Sequence, residues 1–546
     1  MSKSTFETET RPREARIFAE KAARTITEVQ DSAESVADIA ILLEVIGITK
    51  EDLEQNGFNG IYDLALYINN FIDFFEVRQN ESELTDTFLS KVPSKKTKLM
   101  ESLAMTFPWI GTLAVFFATG VSLWLISALP AYDITALMIG VFLGIFITEG
   151  PLNVFQRFFV MNYSQLNISE AKRTVKRNFV FTSFLLSVTA SLLFLFGYLE
   201  DTPTRLVLLS IVALVTVSLH RASYMIIYAL KKLRLLVVSY SIALAFLLLI
   251  YFLASDVIPD TGNRYLVALG VAFLWLSVSA FYAYHNIFSS STTDGTHPHF
   301  YKSPSSIKNS IKARVRVQLW GAISHYIFVT LLFTMMFGDR LISWFFNPAL
   351  HSSENLLPLL FNTLYHSGAD PALLVLLTAS IIQYMMMAGF YQELSNIAVK
   401  HGITKIGKVN EFFKKRYRKL MLASIVTSCC VAVVLNFFGP EIITRFGVSE
   451  VSMNILTTAS IGNVFLSIFV ANSLFAIFLN RVKAFAIIAL IATLILAIGG
   501  FILAQDGFEN IAYAFLASSL VSASLSSLYI MRIIKNASSI FFARFA

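Results

Sequence analysis

Ala484–Ala497 reads AFAIIALIATLILA and Val207–Ser218 reads VLLSIVALVTVS, and neither stretch contains a charged residue. A segment crossing lipid must pair every backbone N–H and C=O internally, which leaves only α-helices and closed β-barrels. Barrel strands alternate polar and apolar side chains. These stretches do not alternate, so they belong to helices. A helix needs roughly 20 apolar residues to cross about 30 Å of hydrocarbon. Twelve stretches meet that length, beginning near Leu103, Tyr132, Asn178, Arg205, Leu233, Arg264, Val317, Pro371, Tyr417, Asn454, Val482 and Phe508. The predicted fold class is an all-α integral membrane protein with twelve transmembrane helices.

The basic residues orient those spans. With the N-terminus inside, the inner segments carry 30 Lys and Arg, including Arg157, Lys231, Lys308, Lys400, Lys419 and Arg481. The outer loops carry four: Arg205, Arg264, Arg340 and Arg445. Such a bias predicts cytoplasmic N- and C-termini. The net charge of +7 conceals an opposition. Residues 1–90 hold 8 basic and 18 acidic side chains, a charge of −10, and the remainder stands at +17 on the inner rim. There anionic membrane lipids attract it. Basic residues scattered over separate juxtamembrane loops do not make a nucleic-acid surface. Residues 1–40 are too polar for the apolar core of a signal peptide.

Four regions follow: a cytoplasmic acidic helical segment (1–98), an N-lobe of spans 1–6 (99–288), a cytoplasmic linker (289–316) and a C-lobe of spans 7–12 (317–546). Two six-span lobes that both begin inside are related by an axis along the membrane normal. In the acidic segment, Ile39, Leu42, Leu43 and Ile46 share one helical face. Thr49-Lys-Glu-Asp52 has the form of a capping box. The segment reads either as a solvated tail or as a docking module. Leu356–Tyr365 (LLPLLFNTLY), between spans 7 and 8, is too short to cross and is expected to lie along the outer interface.

The chain lacks G-x-x-x-x-G-K-[ST], H-E-x-x-H and G-x-S-x-G. Cys429 and Cys430 are adjacent, which suits neither a disulfide framework nor a metal site. No cofactor is expected, and transport is favoured over catalysis. Ionisable residues in spans are costly in lipid and mark paths or partners. His220 and Arg221 lie inside span 4, where Arg221 is either a structural ion-pair member or a cation lining an anionic substrate's path. Glu149 and Glu393 are read as ending spans 2 and 8, at the inner mouth or simply in solvent. Gln383, His325, Asn463 and Asn472 either join helices by hydrogen bonds or line the path. No carboxylate is read at mid-span, which counts against an ion-coupled antiporter.

Span 8 ends in Gly389-Phe-Tyr-Gln-Glu-Leu394, and Lys414-Lys-Arg-Tyr-Arg-Lys419 leads into span 9. Phe438-Gly-Pro-Glu-Ile-Ile-Thr-Arg-Phe-Gly447 forms an outer turn, and Ala471-Asn-Ser-Leu-Phe-Ala-Ile-Phe-Leu-Asn-Arg481 closes span 10. With the two-lobe pattern over residues 100–546, these stretches resemble the Pel exopolysaccharide exporter family of the multidrug/oligosaccharidyl-lipid/polysaccharide (MOP) flippase superfamily. The resemblance implies a pair of six-helix lobes around a cavity that opens alternately to each side. It implies export of a polysaccharide across a bacterial inner membrane, in a complex with a cytoplasmic glycosyltransferase and other membrane subunits. A drug/cation antiporter of the same superfamily and a non-transporting scaffold subunit are the alternatives.

Overall fold

A computed structural model of the chain describes residues 13–29, 36–71, 94–119, 129–164, 168–230, 232–290, 308–351, 358–390, 393–394, 406–444 and 449–542. The described residues form helices and connecting turns, without strands. Packing divides the chain into two compact units, one of residues 1–94, 386–416 and 535–546, the other of 95–385 and 417–534.

In the first unit, α1 (Arg13–Val29), α2 (Val36–Ile46), α3 (Lys50–Gln55) and α4 (Ile61–Phe71) enclose a small core. Ala19, Ala23, Ile26, Ile39, Leu43, Leu64, Ala65 and Ile68 are buried there, with Phe58 against Phe18 and Tyr67. The expected capping box forms. The Asp52 N–H donates to Thr49 Oγ1 at 3.2 Å, and the Thr49 N–H donates to Asp52 Oδ2 at 3.0 Å. The helical pattern expected to continue to Phe88 falls beyond residue 71, outside the described residues, as does most of the expected linker 289–316.

The spans lie in the second unit, except that residues 386–387 and 406–416 of two of them belong to the first. The spans are α5 (Lys95–Thr119), α6 (Ala131–Ser164), α7 (Ile168–Leu199), α8 (Thr204–Ala229), α9 (Leu233–Leu253), α10 (Thr261–Ser290), α11 (Lys308–Phe345), α12 (Thr363–Met387), α13 (Ile406–Thr444), α14 (Glu450–Phe478), α15 (Val482–Leu503) and α16 (Ile511–Ile533). Among the described residues, eleven of these are long and apolar enough to cross a membrane. The twelfth expected span coincides with α5, whose continuation past Thr119 lies outside the described residues.

Helix α6 packs most extensively on α8, and α14 on α16. The first packing depends on Gly140, where a Cβ would fall on the Ser210 carbonyl oxygen. Small residues let membrane helices approach this closely, since lipid supplies no hydrophobic drive to bring them together. The principal packing between the α5–α10 set and the α11–α16 set is α6 against α11. Gly150 makes it possible: a Cβ there would lie 2.6 Å from Thr330 Oγ1 and 2.8 Å from the Tyr326 ring.

Three expectations are corrected here. Glu149 does not end its helix; it lies midway along α6 and is buried. Span 8 begins at Thr363, not near Pro371. The segment expected along the outer interface instead turns inward, with Leu360, Phe361, Asn362 and Tyr365 buried. Its backbone is satisfied inside the protein, as lipid demands. The Leu360 N–H donates to the Trp344 carbonyl at 3.2 Å, and the Phe361 N–H to Thr135 Oγ1 at 2.9 Å.

Candidate functional site

The inward turn brings the end of α11 against the start of α12 and assembles a charged cluster there. Asp339 and Arg340 are adjacent on α11. His366 and Asp370 lie one turn apart on α12, on one face. Arg340 is 1% exposed, so it is not the outer-loop residue that the charge pattern suggested. Its Nε donates to Asp370 Oδ1 at 2.7 Å and its Nη1 to Asp339 Oδ1 at 2.9 Å. Its remaining donors reach the carbonyls of Met336 at 3.0 Å and Ala369 at 2.6 Å. Tyr365 donates to Asp339 Oδ2 at 2.9 Å. His366 Nδ1 lies 2.9 Å from Asp370 Oδ2, and the Trp344 indole N–H donates to His366 Nε2 at 2.9 Å. With that indole donating to Nε2, the proton of a neutral His366 sits on Nδ1 and points at Asp370.

The charges do not balance when His366 is neutral: two carboxylates face one guanidinium. Burial raises the cost of that excess negative charge. Both carboxylates lie near helix ends, Asp339 towards the end of α11 and Asp370 in the second to third turn of α12.

His366 and Asp370 form the polar wall of a cleft of about 60 Å³. At ~10–15 Å³ per water it admits a few waters. Trp109, Thr112 and Leu113 of α5, Met138, Phe142 and Ile145 of α6 and Phe337 of α11 supply other walls. Both helix sets therefore line it. Phe142 is its central aromatic, 5.4 Å from the rings of Phe337 and Trp344.

The eight residues expected from sequence separate into groups. Arg221 pairs with Glu149, its Nε 3.0 Å from Oε2, and its guanidinium lies 5.8 Å from the Phe333 ring centre on α11. It thus points at α6 and α11. His220 faces away from this pair, with Nε2 2.7 Å from the Tyr240 hydroxyl and its ring among Tyr224 and Phe273. His325 meets Arg157, Nε2 to Nη1 at 2.6 Å, and Arg157 also donates to Asn480 at 3.4 Å. Gln383 donates to the Ser467 carbonyl at 2.9 Å, joining α12 to α14. Asn472 accepts from Tyr417 at 2.8 Å and donates to Ser526 at 2.9 Å, joining α13, α14 and α16. Asn463 donates to its own helix at Ala459, 2.9 Å away. Glu393 belongs to the first unit, where it pairs with Arg416 at 3.2 Å. Reading it with Glu149 as two ends of equivalent helices fails, because Glu149 is mid-helix.

Asp339, Arg340, Tyr365, His366 and Asp370 were absent from the expected set. Their signal was present: three charges and a histidine flank the connection between two spans, with His and Asp four apart.

No family model and no curated protein matches the chain. Solved structures do. An outward-facing multidrug resistance MATE family transporter of the MOP superfamily is 15% identical, with 82% of this chain and 97% of that one covered at a TM-score of 0.53. MATE in the straight conformation is 14% identical over 83% and 98%, at 0.51. MATE in complex with MaD5 is 13% identical over 82% and 98%, at 0.55. The chain has the fold of MATE transporters of the MOP superfamily. The superfamily expected from sequence is therefore met at the level of fold, and these neighbours do not single out the Pel exporters within it.

Proposed function

We propose that this chain is an exporter that works by alternating access, with its substrate passing between the two helix sets. The observation that carries this reading is the cleft walled by α5, α6, α11 and α12, with His366 and Asp370 as its polar face. The contacts Phe361–Thr135, Phe142–Phe337, Gly150–Tyr326 and Arg157–His325 bridge the sets around it. Opening to either side separates some of these contacts and keeps others. The cargo is an exopolysaccharide delivered by a cytoplasmic glycosyltransferase, in a bacterial inner membrane with both termini inside. The sequence patterns of residues 389–481 support that choice.

Drug/cation antiport is the second reading. It is favoured by the buried Asp339–Arg340–His366–Asp370 cluster, a charged group whose His366 and Asp370 face an apolar cleft. Gene deletion and complementation separate the two. Loss of secreted polysaccharide with unchanged efflux of a cationic dye supports the first reading; the reverse result supports the second.

A further inference from the structure

The helix α2, VADIAILLEVI, is apolar on both faces. Its inner face, Ile39, Leu42 and Leu43, fills the core of the N-terminal helices. Its outer face carries Ala37, Ile41 and Val45 in one line at i, i+4 and i+8, with Ile41 59% and Val45 70% exposed. The neighbouring α4 repeats the pattern with Tyr62 and Leu66. A helix that is apolar all round is normally buried. Among the described residues of its own unit, none covers the outer face of α2.

Charge indicates what does. Between residues 36 and 71 stand Asp38, Glu44, Glu51, Asp52, Glu54 and Asp63 against a single basic residue, Lys50, which is itself 3.6 Å from Glu54. Helix α1 is balanced by contrast, with Arg13, Arg16, Lys21 and Arg24 beside Glu14, Glu20 and Glu28. The two helices that expose apolar stripes, α2 and α4, carry Asp38, Glu44 and Asp63 and no basic residue. An anionic lipid surface repels such a face. A second copy repels it as well, by like charge. A basic surface is attracted.

We infer that the outer stripe of α2, Ala37–Ile41–Val45 flanked by Asp38 and Glu44, docks an amphipathic helix with Lys or Arg beside its apolar face, presented by a different cytoplasmic protein. This rests on the cytoplasmic placement of the N-terminus in the proposed function, and not on the identity of the cargo. The apolar stripe seats the helix, and the carboxylates select and orient it.

The test uses the full-length protein in its own cells, with the photoreactive amino acid p-benzoylphenylalanine replacing Val45. After irradiation, the cross-linked peptide is sequenced. The expected adduct is a net-positive, amphipathic peptide of a different protein. Its yield falls about tenfold in the Asp38→Lys/Glu44→Lys background and falls with salt in isolated membranes. The probe at Ile17 on α1 gives no such adduct. A lipid adduct, a peptide of this chain, an acidic peptide, no adduct, or a yield insensitive to the charge reversals each overturns the inference. Export measured in the same cells reports separately on the proposed function. A cross-link with no export phenotype leaves docking standing and removes the transporter reading; export without a cross-link does the opposite.

Discussion

Arg340 is held between Asp339 and Asp370 at 2.9 and 2.7 Å, and its removal leaves two buried carboxylates without a cation. Breaking a buried pair from one side costs ~3–5 kcal/mol. Arg340→Met is therefore expected to lower the unfolding midpoint in detergent sharply, and adding Asp370→Asn should recover part of the loss. Equal midpoints for Arg340→Met and wild type would remove the cluster from the account. Arg221 and Glu149 form a second pair, with side chains 20% and 10% exposed. Glu149→Gln and Arg221→Gln are each expected to destabilise, while the double variant costs less than the sum. A double-mutant cycle of unfolding midpoints reads the coupling. Arg221 was legible in the sequence because it interrupts an apolar run. Arg340 was not, because a charge near a span's end looks like a loop residue until its partners are known. Two of those partners, Asp370 and the Ala369 carbonyl, come from another helix, across a turn that sequence reading laid on the membrane surface.

The helices themselves were legible, since about 20 apolar residues are needed to cross lipid and charges are sparse in those windows. The start of α12 was not. Pro371 marks a helix boundary in water, but here it sits inside the helix, and the Arg340 guanidinium bonds the nearby Ala369 carbonyl. Close packing was equally hidden, since a glycine does not announce its neighbour. Gly140→Val should push α6 from α8 and destabilise by ~1–3 kcal/mol or more, read as a lowered unfolding midpoint. Helix α3 offers a test by pH. The Asp52 carboxylate accepts from the Thr49 hydroxyl and N–H, which holds its pKa below the ordinary 3.8. A lowered folded value gives stability that is present above the unfolded value and lost as pH falls through the folded one. Hydrogen exchange at α3 should thus quicken below about pH 3.8. Thr49→Ala should weaken the cap by ~1 kcal/mol at neutral pH and erase most of that acid dependence. An unchanged acid profile in Thr49→Ala would separate Asp52 from the cap.

For the whole molecule, the charge bias predicts which loops face which side. In a Cys429→Ser/Cys430→Ser background, Ser255→Cys should react with an impermeant external thiol reagent and Lys415→Cys should not; both positions are exposed in the structure. The opposite pattern would invert the topology. That the chain has a fold like that of the MATE transporters was expected from a resemblance carried partly by its twelve predicted spans and central linker. Where its two helix sets meet was not, because the contacts of α6 with α11 join residues far apart in the chain. The central claim is that these sets separate during export. In the same cysteine-free background, Arg157→Cys and His325→Cys are joined by a short bis-maleimide, which adds one thiol at each end. Those side chains meet at 2.6 Å in the structure. Export of the cargo identified by gene deletion is then measured before and after linking, with each single-cysteine variant as control. The account predicts that the linked protein stops exporting while the unlinked double variant and the treated single variants do not. Undiminished export from fully linked protein would contradict it.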